Sequence, residues 1–155
     1  MAGPDLALRR LQTQALVDLG RIRQATERHV ERWLAEAGLE DVTPAQANAL
    51  LVLVNARRPL AQAHLAQALS VSKVTVGRFV RALEEAGWVE RTRDPEDSRA
   101  YRLAPTAKAR EALPRFISVS NQLLDAAFQG LDDAGIARAA ECVATIRANL
   151  DPDGD

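Results

Sequence analysis

Apolar positions in this chain recur mostly at helical spacing, and polar residues gather where that spacing breaks. From Asp5 to about Ala37, the residues Leu8, Leu11, Ala15, Leu19, Ile22, Val30, Trp33 and Leu34 mark one apolar stripe, and Gly38 ends the helix they predict. Such a helix has no partner within its own stretch, so it must pack on other helices or on a second subunit. Thr43-Pro44-Ala45-Gln46 opens a second helix. Threonine caps it, proline takes the first turn, where its missing N–H costs nothing, and Gln46 completes a capping box. That helix runs through Leu50, Leu51 and Val54 to Asn55 or Ala56. Arg57-Arg58-Pro59-Leu60 breaks the pattern and suits a short strand. A short helix from Leu60 to Leu69 follows, with Leu65 and Leu69 inward. Ser70-Val71-Ser72 is then a turn in which Ser70 or Ser72 caps the next helix.

The rest of the chain is organised around that next helix. Val76, Phe79, Val80 and Leu83 stand at i, i+3, i+4 and i+7 and share a buried face. The opposite face carries Ser72, Lys73, Thr75, Arg78 and Arg81, with no carboxylate until Glu84. Gly87 stops the helix. Trp88 to Arg93 has strand character, and Asp94-Pro95-Glu96-Asp97-Ser98 is dense in turn formers. Tyr101 and Leu103 alternate with Ala100 and Arg102, which suits a returning strand with one face buried. Two helices about a tight turn, a cationic second helix and a two-stranded ribbon make a winged helix-turn-helix, a unit that offers adjacent surfaces to the major and minor grooves of DNA. Beyond it, Thr106 to about Gly130 predicts a long helix carrying Leu113, Ile117, Leu123, Leu124 and Phe128, kinked at Pro114. Asp132 or Asp133 opens a last helix through Ile136, Val143, Ile146 and Leu150, and the tail from Asp151 is acidic.

Composition narrows this picture without changing it. At 155 residues the chain is expected to be one domain, mainly α with a small β-wing, and long enough to bury a core. Aromatic residues are only 4%, so that core must be built of Ala, Leu and Val, as in helix bundles. No apolar run reaches membrane-spanning length, and Met1 to Arg10 lacks a signal-peptide hydrophobic region. The single Cys142 excludes an internal disulfide framework, and a cytoplasmic location is expected. His29, His64 and Cys142 are widely separated and show no metal-ligand spacing. No enzyme chemistry and no cofactor is therefore expected, and Cys142 reads as packing rather than a thiol switch. Net charge is −1, which argues against a nucleic-acid partner until its distribution is followed. Between Arg57 and Arg110 stand 11 Lys/Arg against 6 Asp/Glu, a balance of +5, so the remainder carries −6. Positive charge is concentrated on the winged module.

One run of residues resembles the MarR/SlyA family of bacterial transcription regulators. Its recognition helix ends in Leu-x-x-x-Gly-hydrophobic-hydrophobic-x-Arg, here Leu83, Gly87, Trp88, Val89 and Arg91. An Asp-x-Arg wing tip follows as Asp97-Ser98-Arg99, and Thr106 opens the next helix. The Thr-Pro-x-Gln opening at Thr43 recurs in the same family. The resemblance implies a single MarR-like domain over 1–155, with a DNA-binding module at 43–106 and dimerisation helices at 5–38 and 107–150. It implies a homodimer that binds a palindromic operator in double-stranded DNA, most often as a repressor. Small aromatic or phenolic ligands release such proteins from DNA by wedging between the dimer and DNA-binding regions, and Trp33, Phe116 and Phe128 are the candidates for lining that cleft.

On this reading Ser72, Lys73, Thr75 and Arg78 face the major groove, with Arg81 on the same face. Arg99 enters the minor groove at the wing tip, where narrow A·T-rich segments concentrate negative potential. Asp97 pairs with an arginine and fixes the wing's shape, while Arg93 and Arg102 contact phosphates at its base. Three positions depart from the family pattern: Pro105 stands where leucine is usual, Ala109 where many members have glycine (the alanine resembles the SlyA branch), and Gly77 where a small hydroxyl residue is more common. On the exposed face, Gly77 would permit close approach of the backbone to DNA. The alternative reading is a winged-helix module that binds protein and has lost DNA affinity.

Overall fold

Every helix but the third begins where a side chain satisfies orphan N–H groups of its first turn. In the computed structural model, which describes residues 5–94 and 100–151, α1 spans Leu6–Glu36 and is capped by Asp5, whose carboxylate accepts from the N–H groups of Ala7 and Leu8. α2 spans Pro44–Asn55 behind the complete Thr43/Gln46 capping box. β1 is only Leu60–Ala61, and α3 follows at once over Gln62–Ala68. α4 spans Lys73–Glu85, α5 Ala107–Ala127 and α6 Asp133–Leu150, capped by Ser72, Thr106 and Asp132 respectively. β2 (Val89–Arg93) and β3 (Tyr101–Pro105) form the ribbon.

The three strands form one antiparallel sheet in the order β1-β3-β2, with Leu103 opposite both Leu60 and Arg91. This fixes the wing to the base of the helical unit. The Asp94 N–H donates to the Ala100 carbonyl at 3.0 Å and continues the ladder toward the tip. Leu50, Leu53, Leu65, Val76, Val80, Leu83 and Leu103 form the centre of the core, and Trp88 completes it with 1% of its surface exposed. Trp88 is the largest side chain so buried.

Three expectations need correction. Ser70 does not cap α4; it lies in the left-handed region at φ 51°, ending α3, and Ser72 alone provides the cap. Tyr101 is exposed, because only Leu103, Ala104 and Pro105 at the inner end of β3 reach the core. The third strand takes Leu60 and Ala61 rather than Arg57 to Leu60, which shortens the helix expected from Leu60. α5 runs on through Pro114 as one element.

The two chain ends are left open. α1 buries only Leu34 in its 31 residues and α6 buries none in 18, while α5 packs against α1 and α2. Leu6 and Leu11 are 71% and 69% exposed. Between α1, α5 and α6 lies an open cavity of about 670 Å³, lined by Leu19, Ile22, Trp33, Leu123, Phe128 and Val143 among others. No helix among the described residues is long and apolar enough to cross a membrane.

Candidate nucleic-acid interface

The turn between α3 and α4 sets how α4 is presented. The Val71 N–H reaches the Ala66 carbonyl at 3.1 Å and the Ser70 N–H reaches Gln67 at 3.0 Å, closing α3 in a Schellman motif. Two residues later Ser72 Oγ accepts from the Thr75 N–H at 3.1 Å and bonds the Thr75 hydroxyl at 2.9 Å. α4 therefore starts immediately after the turn, with Val76, Val80 and Leu83 anchored in the core.

The outward face that results is not quite the one the spacing suggests. Lys73, Arg78 and Arg81 are exposed, and Arg78 and Arg81 line a shallow hollow of about 490 Å³ with Gln62, Val74, Gly77 and Arg91. Ser72 is exposed, but both it and the half-buried Thr75 are engaged in the cap. Val74 is 66% exposed beside Arg78. Sequence reasoning passed over it because an apolar residue off the buried stripe carries no charge signal. Its methyls suit a thymine methyl, and the neighbouring guanidiniums suit guanine or phosphate. Gly77 faces Gln62 across the hollow, where an added Cβ would meet Gln62 Nε2 at 3.4 Å.

At the wing base, Arg102 Nε donates to Asp94 Oδ2 at 2.7 Å, both side chains being largely buried. Asp94 thus holds an arginine at the base of the ribbon. Asp97 and Arg99 lie outside the described residues. Arg93 is exposed on β2. Arg91 Nε donates to both oxygens of Glu84 at 2.8 and 2.9 Å, tying the wing to the last turn of α4. Neither pair was visible in the sequence, since its members are seven and eight residues apart across a turn.

The three aromatic residues expected to line an effector cleft separate. Trp33 and Phe128 line the cavity between α1, α5 and α6. Phe116 does not; it is 3% exposed and packs edge-on to Trp88 at 5.7 Å between ring centroids. Its position one turn before Val119 on the buried face of α5 turns it into the core instead. His29 stacks near Trp33, and among the described residues no three His, Cys, Asp or Glu gather as a metal site.

A helix face bearing Lys73, Arg78 and Arg81, a hollow in which three arginines stand with Glu85, and an adjoining ribbon suit an anionic duplex. Comparison with known proteins agrees. Residues 40–100 match the sequence profile of the MarR family. No curated protein sequence matches the chain. Among solved structures, the transcriptional regulator SlyA is similar with a TM-score of 0.79 at 24% identity, over 90% of this chain and 96% of that one. The crystal structure of MarR gives 0.67 at 25% identity, over 89% and 96%. The MepR–DNA complex of S. aureus gives 0.78 at 19% identity, over 84% and 94%. These relatives are regulators of transcription rather than enzymes. The winged segment is thus similar in sequence to the MarR family, and the fold that surrounds it is the one seen in SlyA, MarR and MepR.

Proposed function

We propose that the protein is a homodimeric, sequence-specific DNA-binding repressor whose α4 helices enter successive major grooves of a palindromic operator. The single observation that carries this is the α4 face: Lys73, Arg78 and Arg81 stand exposed on a helix whose other side is locked in the core, with no carboxylate among them. In this reading Arg78 reads a base edge, Lys73, Arg81 and Arg93 meet phosphates, and Ser72 and Thr75 set the start of the helix while offering their hydroxyls to the backbone of the DNA. Arg102 contributes through the wing base that it stiffens. Arg99 and Asp97 are assigned to the wing tip by the resemblance alone.

The dimer is supported by what the single chain leaves uncovered. Apolar side chains along α1 and α6 and the open cavity they share with α5 need a partner, and a second copy brings the same surfaces in reciprocal arrangement. Segments 5–38 and 107–150 then serve as the dimerisation helices and 43–106 as the reading head. Release by a small aromatic ligand is the finer part of the reading. CouR of Rhodococcus jostii RHA1, a similar structure at 21% identity and a TM-score of 0.70, was solved bound to p-coumaroyl-CoA. Trp33 and Phe128 are the aromatic side chains by which a ligand would be held here.

Selection of bound sequences from a random duplex pool, followed by titration of Arg78→Ala, tests the assignment. The variant is expected to lose roughly 10- to 100-fold in affinity for the selected sequence, as for one bidentate base contact of about 1–3 kcal/mol, and much less for unrelated duplex. Equal losses on both would reduce Arg78 to a phosphate contact.

A further inference from the structure

The end of α4 is bolted to the start of α5 by residues that lie outside the exposed face of α4. Asp41, in the connection between α1 and α2, accepts at one oxygen, Oδ2, from the Trp88 indole N–H at 2.8 Å and from the Lys108 ammonium at 3.0 Å. Lys108 also donates to the Ala86 carbonyl, the C-cap of α4, at 2.8 Å, and its ammonium sits 3.9 Å from the centre of a Trp88 ring. Thr106 adds a hydroxyl bond to the Gly87 carbonyl at 2.8 Å, while its N–H meets the Trp88 carbonyl at 3.1 Å. Three separate elements therefore meet on Trp88: the recognition helix through Ala86 and Gly87, the long helix α5 through Thr106 and Lys108, and the α1–α2 connection through Asp41.

We propose that Asp41 and Lys108 are positioning residues that set the angle between the recognition helix and α5, and so the separation at which two reading heads meet two half-sites. The inference rests on the dimeric DNA-binding reading above. Neither residue needs to touch DNA for this. A duplex fixes half-sites about 34–36 Å apart, one helical turn, so any freedom between head and dimer helix lowers binding of the second head without altering the first. The polar contacts make the angle definite: a tryptophan held by packing alone could tilt within the core, whereas an indole N–H aimed at a carboxylate, under an ammonium that is itself tied to the helix end, has one arrangement.

The test compares affinity for a two-half-site duplex with affinity for a single half-site, using the sequence selected by the wild-type protein. Asp41→Asn and Lys108→Met are expected to lose about tenfold on the full site, with half-site affinity changed by less than about twofold; a charge-assisted hydrogen bond of ordinary strength corresponds to that order of loss. Lys108→Arg, which keeps a cation over the ring, is expected to restore most of it. The double variant should be no weaker than the worse single one, because the two act through one joint. In a Trp33→Phe background Trp88 is the sole tryptophan, and its emission should shift in both loosened variants and return in Lys108→Arg. Equal losses on full and half sites, or no loss on either with the emission shifted, would overturn the proposal. A wild-type protein that shows no preference for two half-sites over one would instead sink the dimeric DNA-binding reading on which it rests. Should Asp41→Asn fail to fold, the half-exposed Lys108 carries the test alone.

Discussion

Asp41 shows how one residue can matter through its neighbours rather than through its exposure. Burial raises its carboxyl pKa, but the hydrogen bonds from Lys108 and Trp88 and the charge of Lys108 outweigh that and hold it below the ordinary value of 3.8. A depressed pKa means that the folded state favours the charged form. Its contribution to stability is therefore fully present above the ordinary value and is lost as pH falls through the lower, folded one. The melting temperature of the wild type should accordingly exceed that of Asp41→Asn at neutral pH, and the gap should close on acidification below about pH 4. A gap that is constant with pH would assign the effect to packing. At this scale the sequence was a partial guide. Arg78, Arg81 and Lys73 were legible as an exposed cationic face because period and charge agree. Val74, Asp41 and Lys108 were not. Their meaning depends on what lies beside them in space, and Asp41 and Lys108 are separated by 67 residues.

The elements follow local rules closely enough to be read in advance, and the exceptions have definite causes. The capping box of α2, the glycine stops at Gly38 and Gly87 and the period of α4 all act within a few residues, so composition and spacing reveal them. Three helices end by the same motif. α1 closes with Leu39 N–H on Leu34 and Gly38 N–H on Ala35, α4 with Trp88 on Leu83 and Gly87 on Glu84, and α3 with Val71 on Ala66 and Ser70 on Gln67. The first two put glycine at the left-handed position, with φ 70° and 74°. α3 puts Ser70 there, which hid its end and invited the reading of Ser70 as a cap. Ser70→Gly should relieve a left-handed strain of about 1–2 kcal/mol. Against that stands an unfolded-chain entropy penalty of about 0.4–1 kcal/mol, so a net stabilisation of roughly 0.5–1 kcal/mol is expected in urea unfolding. A loss of stability would mean that the serine side chain holds the turn. The wing was legible as two strands and a turn, whereas the Arg102–Asp94 and Arg91–Glu84 pairs that stiffen it depend on register and could not be assigned from spacing alone.

For the whole molecule, the long helices were predicted nearly to their ends, but only the structure shows how little of them the single chain covers. α6 has no buried residue, and the apolar stripe of α1 is mostly open apart from its last turns near Leu34. The reading head, by contrast, is closed around Leu50, Val80 and Trp88. This division, a closed winged unit on open helices, is the observation that supports the proposed dimer. The net charge of −1 conceals an uneven distribution, with a balance of +5 between Arg57 and Arg110. The most direct check is a titration of the selected duplex with wild-type protein over a range of salt concentrations. If α4 and the wing neutralise phosphates, log K should fall steeply and linearly with log salt, by about 0.9 for each phosphate engaged. An affinity indifferent to salt would contradict the account and leave a winged helix that binds something other than DNA.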